Sequence, residues 1–183
     1  MPETIAVIDT ETTYHDDVMS VGIVIADRED LSWQQSLYYV FPEQYRKPSM
    51  FGRVLFLEGQ EFIMKCRAEA MREILEIFRE WNVTMIFAYN AGFDRSHLPE
   101  LSGYIWKDIM KLAAYRQYNS FIPEDMPCYR TGLLKSGYGV ERVMRMVSQN
   151  LSYAEVHNAL CDAEDELRIM QLLGHDPSMY PDI

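Results

Sequence analysis

The run Ile5-Ala6-Val7-Ile8-Asp9-Thr10-Glu11-Thr12-Thr13 constrains this chain more than any other stretch. Its first part is apolar, β-branched and uncharged, over a length usual for a buried strand. Side chains alternate faces along a strand, so Asp9 and Glu11 point the same way. Two like charges side by side repel, and removal from water strengthens the repulsion. Something positive must stand beside them. A divalent cation is the simplest candidate, because hard oxygen ligands suit magnesium and manganese.

The length of 183 residues predicts a single domain, 1–183, large enough to bury a core. Hydrophobic residues at 48% and charged residues at 25% match ordinary globular proteins. No apolar stretch is long enough to span a membrane, and Met1-Pro2-Glu3-Thr4 lacks the layout of a signal peptide. Cys66, Cys128 and Cys161 are scattered and without metal-type spacing, so reduced thiols and a cytoplasmic location are expected. The net charge of -11 argues against a general polyanion-binding surface. It does not exclude an enzyme acting on nucleic acid, since bound cations would neutralise acids locally and attract phosphate.

After the first strand, Val18 to Ala26 reads as a second strand around Gly22, and Leu31 to Phe41 as a third. Their close spacing predicts an antiparallel meander. Pro42 to Pro48 is a loop, and Glu61 to Trp81 is expected to be helical. There Met71, Ile74, Leu75, Phe78 and Trp81 recur at helical spacing, which marks a core stripe. Thr84 to Tyr89 predicts a fourth strand, Tyr104 to Ile109 a fifth, and Met110 to Tyr115 a short helix. Tyr115 to Gly139 is loop-like. Helical periodicity returns over Val140–Val147 and Ala159–Leu173, with Gly174 as the stop. The expected architecture is a mixed α/β sheet covered by helices.

Three more residues join the first pair as candidates. Asp94 follows a buried strand and the turn Asn90-Ala91-Gly92-Phe93, at the kind of edge where ligands gather in open α/β sheets. Asp162 opens the last strong helix among small and apolar neighbours, and His157 lies five positions before it. Singly these are weak signals: an isolated Asp-x-Glu is commonly an edge acid, and an isolated Asp commonly a helix cap. Together, four carboxylates beside apolar sequence and a histidine tied by spacing to the last of them form a specific pattern.

That pattern resembles the DEDD superfamily of 3′-to-5′ exonucleases in its histidine-containing branch, the group of the proofreading subunit of bacterial DNA polymerase III. The first motif matches at Val7-Ile8-Asp9-Thr10-Glu11-Thr12-Thr13, the second at Asn90-Ala91-Gly92-Phe93-Asp94 and the third at His157-Asn158-Ala159-Leu160-Cys161-Asp162-Ala163. The likeness runs from about Ile5 to Leu173. Asp108 resembles the family's acid after the fifth strand and is not assigned to the metal site. Departures are Tyr14 where the family commonly has glycine, Tyr89 where it has histidine, and Ser20-Val21-Gly22 where an acid or amide often precedes the glycine.

The resemblance implies a ribonuclease H-like, five-stranded mixed sheet, its first three strands a meander. It also implies metal-dependent hydrolysis of phosphodiester bonds at nucleic-acid 3′ ends, releasing 5′-monophosphates. Two divalent cations, Mg2+ or Mn2+, would be held by Asp9, Glu11, Asp94 and Asp162, with His157 as general base. Histidine as a residue type suits proton transfer near neutral pH. Thr10, Thr12, Tyr14, Asn90 and Phe93 are the expected substrate-binding positions, Tyr14 beside the terminal nucleotide. For Asn90 and Phe93 a structural role, turn cap and core filler, is favoured.

Tyr115, Tyr118, Phe121 and Tyr129, with Arg116 and Arg130, could stack bases, but pinning the loop to the body is the preferred reading. Lys135, Arg142 and Arg145 read as solvated charge. DNA is the favoured substrate and an RNA-trimming activity the alternative. A binding module without turnover is the reading from another class. The expected partner is a single-stranded nucleic-acid 3′ end. The oligomeric state stays open, a dimer included.

Overall fold

A computed structural model describes residues 2–183. The apolar opening run becomes β1 (Thr4–Thr12), which pairs antiparallel with β2 (Val18–Asp27). Next, β2 pairs antiparallel with β3 (Trp33–Val40), completing the expected meander. On its other side β1 takes β5 (Val83–Ala88) in parallel, and β5 takes β6 (Ile105–Asp108) in parallel. The sheet has six strands rather than five, in the order β4-β3-β2-β1-β5-β6.

The extra strand, β4 (Ile63–Met64), corrects the helix expected to start at Glu61. Its two residues pair in parallel with Tyr39 and Val40. Helix α1 begins only at Arg67 and runs to Glu80. The reason is visible in the apolar stripe, whose buried members are Ala70, Met71, Ile74 and Phe78. Residues before Arg67 have no place on that stripe, whereas the edge of β3 offers free backbone groups. The third strand is also shorter than Leu31 to Phe41, because Leu31 takes a left-handed backbone (φ 58°) in the preceding turn.

Among the described residues four further α-helices follow: α2 (Gly92–His97), α3 (Met110–Ala113), α4 (Val140–Ser148) and α5 (Ala159–Leu173). As expected, α5 stops at Gly174, whose φ of 67° is costly for residues with a Cβ.

Alternation along β1 sorts its residues into two cores. Ala6 and Ile8 pack with Ile74 and Phe78 of α1, while Ile5 and Val7 pack with Ala163, Leu167 and Met170 of α5. Asp9 and Glu11 continue the odd-numbered series and so emerge on the α5 face. Gly22 stands opposite Asp9 on β2. A Cβ on Gly22 would overlap the backbone of Ala159 and Leu160, so its absence lets the start of α5 lie against the sheet. That close approach delivers Asp162 to the carboxylates of β1.

Candidate active site

Asp9, Glu11 and Asp162 each offer a carboxylate oxygen, and these atoms lie within 4.8 Å of one another. Glu155, His157 and Asp162 satisfy the same distance, so Asp162 is shared between the two groups. They line a cleft of about 430 Å³ together with Thr12, Tyr14, Phe51 and Phe93, and no lysine or arginine is among its lining residues.

Burial without a counter-charge has a marked effect on these acids. Burial is the largest cause at each, and neighbouring carboxylates add to it. Glu11 is pushed up to about 8, with Asp162 the leading charged neighbour. Asp162 also rises to about 8, with Glu155 and Asp165 contributing. Asp9 is raised well above the usual carboxylate range by burial and then by Asp94, Glu166, Asp162 and Glu11. Asp94 reaches about 7 through burial, although a hydrogen bond from Thr10 pulls it back.

Among the described residues, Oδ1 of Asp162 is buried and has no hydrogen-bond partner. An orphaned carboxylate oxygen facing other carboxylates is unfavourable unless a cation or proton joins it. Several carboxylate oxygens gathered beside one imidazole therefore fit a divalent cation.

Asp94 stands in the first turn of α2, fully buried, where Oδ1 accepts the Thr10 hydroxyl at 2.7 Å. Thr10, expected to bind substrate, lines the cleft and also orients this acid through its hydroxyl. Asn90 takes a left-handed backbone (φ 60°), and its N–H donates to Asp108 Oδ1 at 3.0 Å. Asp108 Oδ1 also accepts the Met110 N–H at 3.0 Å, so this acid holds the turn that carries Asn90 and the start of α3.

Phe93 is not a core filler. It is 41% exposed, lines the cleft and packs on His97 with ring centroids 4.2 Å apart. The turn holding Asp94 inward on Thr10 leaves Phe93 facing out. Tyr14, 64% exposed, lies at the cleft with its N–H donating to the Pro48 carbonyl.

Elsewhere, Arg116 donates to the carbonyls of Pro123 and Met126, tying the 115–139 segment to itself. Arg145 pairs with Glu141 at 2.8 Å and donates to the Tyr153 carbonyl, so it is not merely solvated charge. The three cysteines are free thiols.

Sequence reasoning missed Glu155, Glu166 and Phe51. Glu166 is fully buried, its Oε2 accepts the Tyr89 N–H at 3.0 Å, and burial followed by Asp94 raises it far above the ordinary range. Its position four residues after Asp162 puts both on one helix face, a signal available from spacing. Glu155 Oε1 stands 3.8 Å from His157 Nδ1. Phe51 stacks on the His157 ring at 4.1 Å and 20°. No periodicity links Phe51 to the motif it reaches.

No family model and no curated protein matches the sequence. Solved structures do. The zinc-bound form of E. coli ExoI in complex with ssDNA is 14% identical, with a TM-score of 0.62 over 94% of this chain and 40% of that one. The nuclease domain of 3'hExo, a DEDDh family member, bound to rAMP, is 13% identical with a TM-score of 0.65, covering 98% of this chain and 96% of its own. A 3'-exonuclease in 3'-end-specific recognition of a histone mRNA stem-loop is 15% identical with a TM-score of 0.66, covering 98% and 84%. This chain thus spans about two-fifths of ExoI. The shared fold is the ribonuclease H-like α/β sheet of DEDDh exonucleases.

Proposed function

We propose that this chain is a metal-dependent 3′-to-5′ exonuclease that hydrolyses the terminal phosphodiester of single-stranded nucleic acid and releases nucleoside 5′-monophosphates. The observation that carries the reading is the meeting of Asp9, Glu11 and Asp162 within 4.8 Å, in a cleft that also holds His157 and is lined by no lysine or arginine. Acids drawn together against their own repulsion point to cation binding as their function. The fold shared with DEDDh exonucleases supports the same conclusion.

Asp9, Glu11 and Asp162 would hold one cation, and Asp9 with Asp94 the second. When bound, a pair of divalent ions lowers the pKa of water and neutralises charge on a phosphoryl group. The remaining roles belong to the chain. His157 turns Nδ1 toward Glu155, which leaves Nε2 to take the proton from an attacking water. Thr10 fixes Asp94 through its hydroxyl. Tyr14 and Phe93 present exposed rings at the cleft for stacking on the terminal base. Thr12 and the Asn90 turn frame the same space. Glu166 anchors the end of β5 through the Tyr89 N–H.

DNA is the substrate class we favour. One observation supports RNA as the second reading: the two similar proteins solved with rAMP and with a histone mRNA stem-loop match over 96% and 84% of their own lengths, against 40% for the ssDNA-bound one. Matched single-stranded DNA and RNA oligomers, incubated with and without Mg2+ or Mn2+, test the assignment. Mononucleotides should appear only with metal, and Asp162→Asn and His157→Ala should each lower the rate at least about a hundredfold. No metal-dependent release from either oligomer would overturn the reading.

A further inference from the structure

His157 is held by contacts that reach beyond the three motifs. Its backbone takes a left-handed conformation, φ 59°, which residues other than glycine adopt sparingly and keep only where their surroundings enforce it. The next residue, Asn158, supplies that enforcement. It is fully buried and caps α5 by accepting the Cys161 N–H. Its amide nitrogen donates to the Val54 carbonyl at 2.8 Å and to Gln60 Oε1 at 3.1 Å, while its Oδ1 accepts from Gln60 Nε2 at 2.9 Å.

The segment so gripped is the connection between β3 and β4. Further ties hold it across the site: the Tyr38 hydroxyl donates to the Leu55 carbonyl at 2.9 Å, and the Tyr14 N–H to the Pro48 carbonyl at 3.1 Å. Between these ties sits Phe51, with its ring parallel to the imidazole at 4.1 Å. Stacking on one face and Glu155 beside Nδ1 leave the imidazole little freedom to rotate.

We propose that the β3–β4 connection is a positioning device for the general base. Phe51 and the Gln60–Asn158 amide pair set the orientation of the His157 ring. This rests on the exonuclease reading above and deepens it, since it names residues that act through His157 and not on substrate. Phe51 and Gln60 are positioning residues. A base misplaced by a fraction of an ångström loses much of its effect, so loosening either contact should slow the proton transfer while leaving the cation-binding acids in place.

The test uses two readouts on the whole chain. Imidazole carbon-bound proton resonances of the four histidines are recorded, and the His157 signals are identified by their loss in His157→Ala. Ring-current shielding from Phe51 places these signals upfield. Phe51→Leu should move them downfield, and Phe51→Tyr should return them and recover most of the rate. Gln60 does not line the cleft, so Gln60→Ala should lower kcat about tenfold with KM within about twofold, and should broaden or shift the same His157 signals.

If Phe51→Leu fails to fold, Gln60→Ala carries the test alone. His157 signals unmoved by both substitutions would overturn the inference. So would wild-type kcat in both variants while His157→Ala is inactive. An inactive wild type would instead defeat the exonuclease reading, and the imidazole signals would still report whether Phe51 and Gln60 hold the ring.

Discussion

Asp162 sits in the first turn of α5 with one carboxylate oxygen buried and unpartnered, between the acids of β1 and the Glu155–His157 pair. In the metal-free protein it and Glu11 hold protons up to about pH 8, against ordinary values of 3.8 and 4.5. Their folded-state values are raised, so folding takes up protons. The associated stability is complete below the unfolded-chain values and is lost as pH rises toward 8. The thermal midpoint of the metal-free chain should therefore fall between about pH 5 and pH 8, and Mn2+ should flatten that slope by taking the protons' place. Asp162→Asn should raise the metal-free midpoint at pH 8 by roughly 2–4 °C, the equivalent of about 1 kcal/mol of relieved repulsion, and should lose most of the Mn2+ stabilisation. Calorimetry across pH with and without metal checks both, and a profile flat without metal would contradict the account. Asp9, Glu11, Asp94, His157 and Asp162 were selectable from sequence because each stands at a fixed offset within a short motif. Glu155 and Phe51 were not, because what gives them a role is contact with the His157 ring.

Gly22 decides how the elements meet. Strand β2 was legible from its apolar run, but nothing in that run says that α5 lies against one glycine. Gly22→Ala should place a methyl group into the Ala159 and Leu160 backbone, which cannot rotate away. Overpacking of this kind costs about 1–3 kcal/mol, and the shift of the α5 start would carry Asp162 and His157 away from β1. Denaturant unfolding and turnover should both fall, the rate by at least about tenfold, since a displacement of one ångström at a reacting group has effects of that order or greater. A Gly22→Ala protein with normal stability and rate would refute this packing argument. The misplaced start of α1 teaches the related lesson. Helical periodicity correctly marked Met71, Ile74 and Phe78, yet Ile63 and Met64 were taken by an available strand edge. Edge pairing depends on a neighbour distant in sequence, and periodicity carries no information about it.

The chain carries a net charge of -11, and its cleft is lined by acids without a lysine or arginine. Several of its cations are already committed, Arg67 to Glu100, Lys107 to Asp182 and Arg145 to Glu141. Binding to a single-stranded oligonucleotide in Mn2+ should therefore depend weakly on KCl. A log–log slope of magnitude below about 1.5 is expected, equivalent to roughly two neutralised phosphates at about 0.7 each. Fluorescence anisotropy over a salt series measures it, and a steep slope would reveal a basic track not apparent in the cleft. The meander, the succession of the five longer strands along the chain, the core stripe of α1 and the spacing of the three motifs could be read from sequence alone, since they follow from local periodicity, turn chemistry and fixed offsets. Which face of the sheet receives α5, that Thr10 turns inward to Asp94 while Phe93 turns out, and that the β3–β4 connection reaches the general base depended on the folded chain. These are matters of packing between segments more than a hundred residues apart, as in the Gln60–Cys161 and Asn158–Val54 contacts. Side-chain direction there is settled by which neighbour fills the space, and that neighbour is known only once the chain has closed.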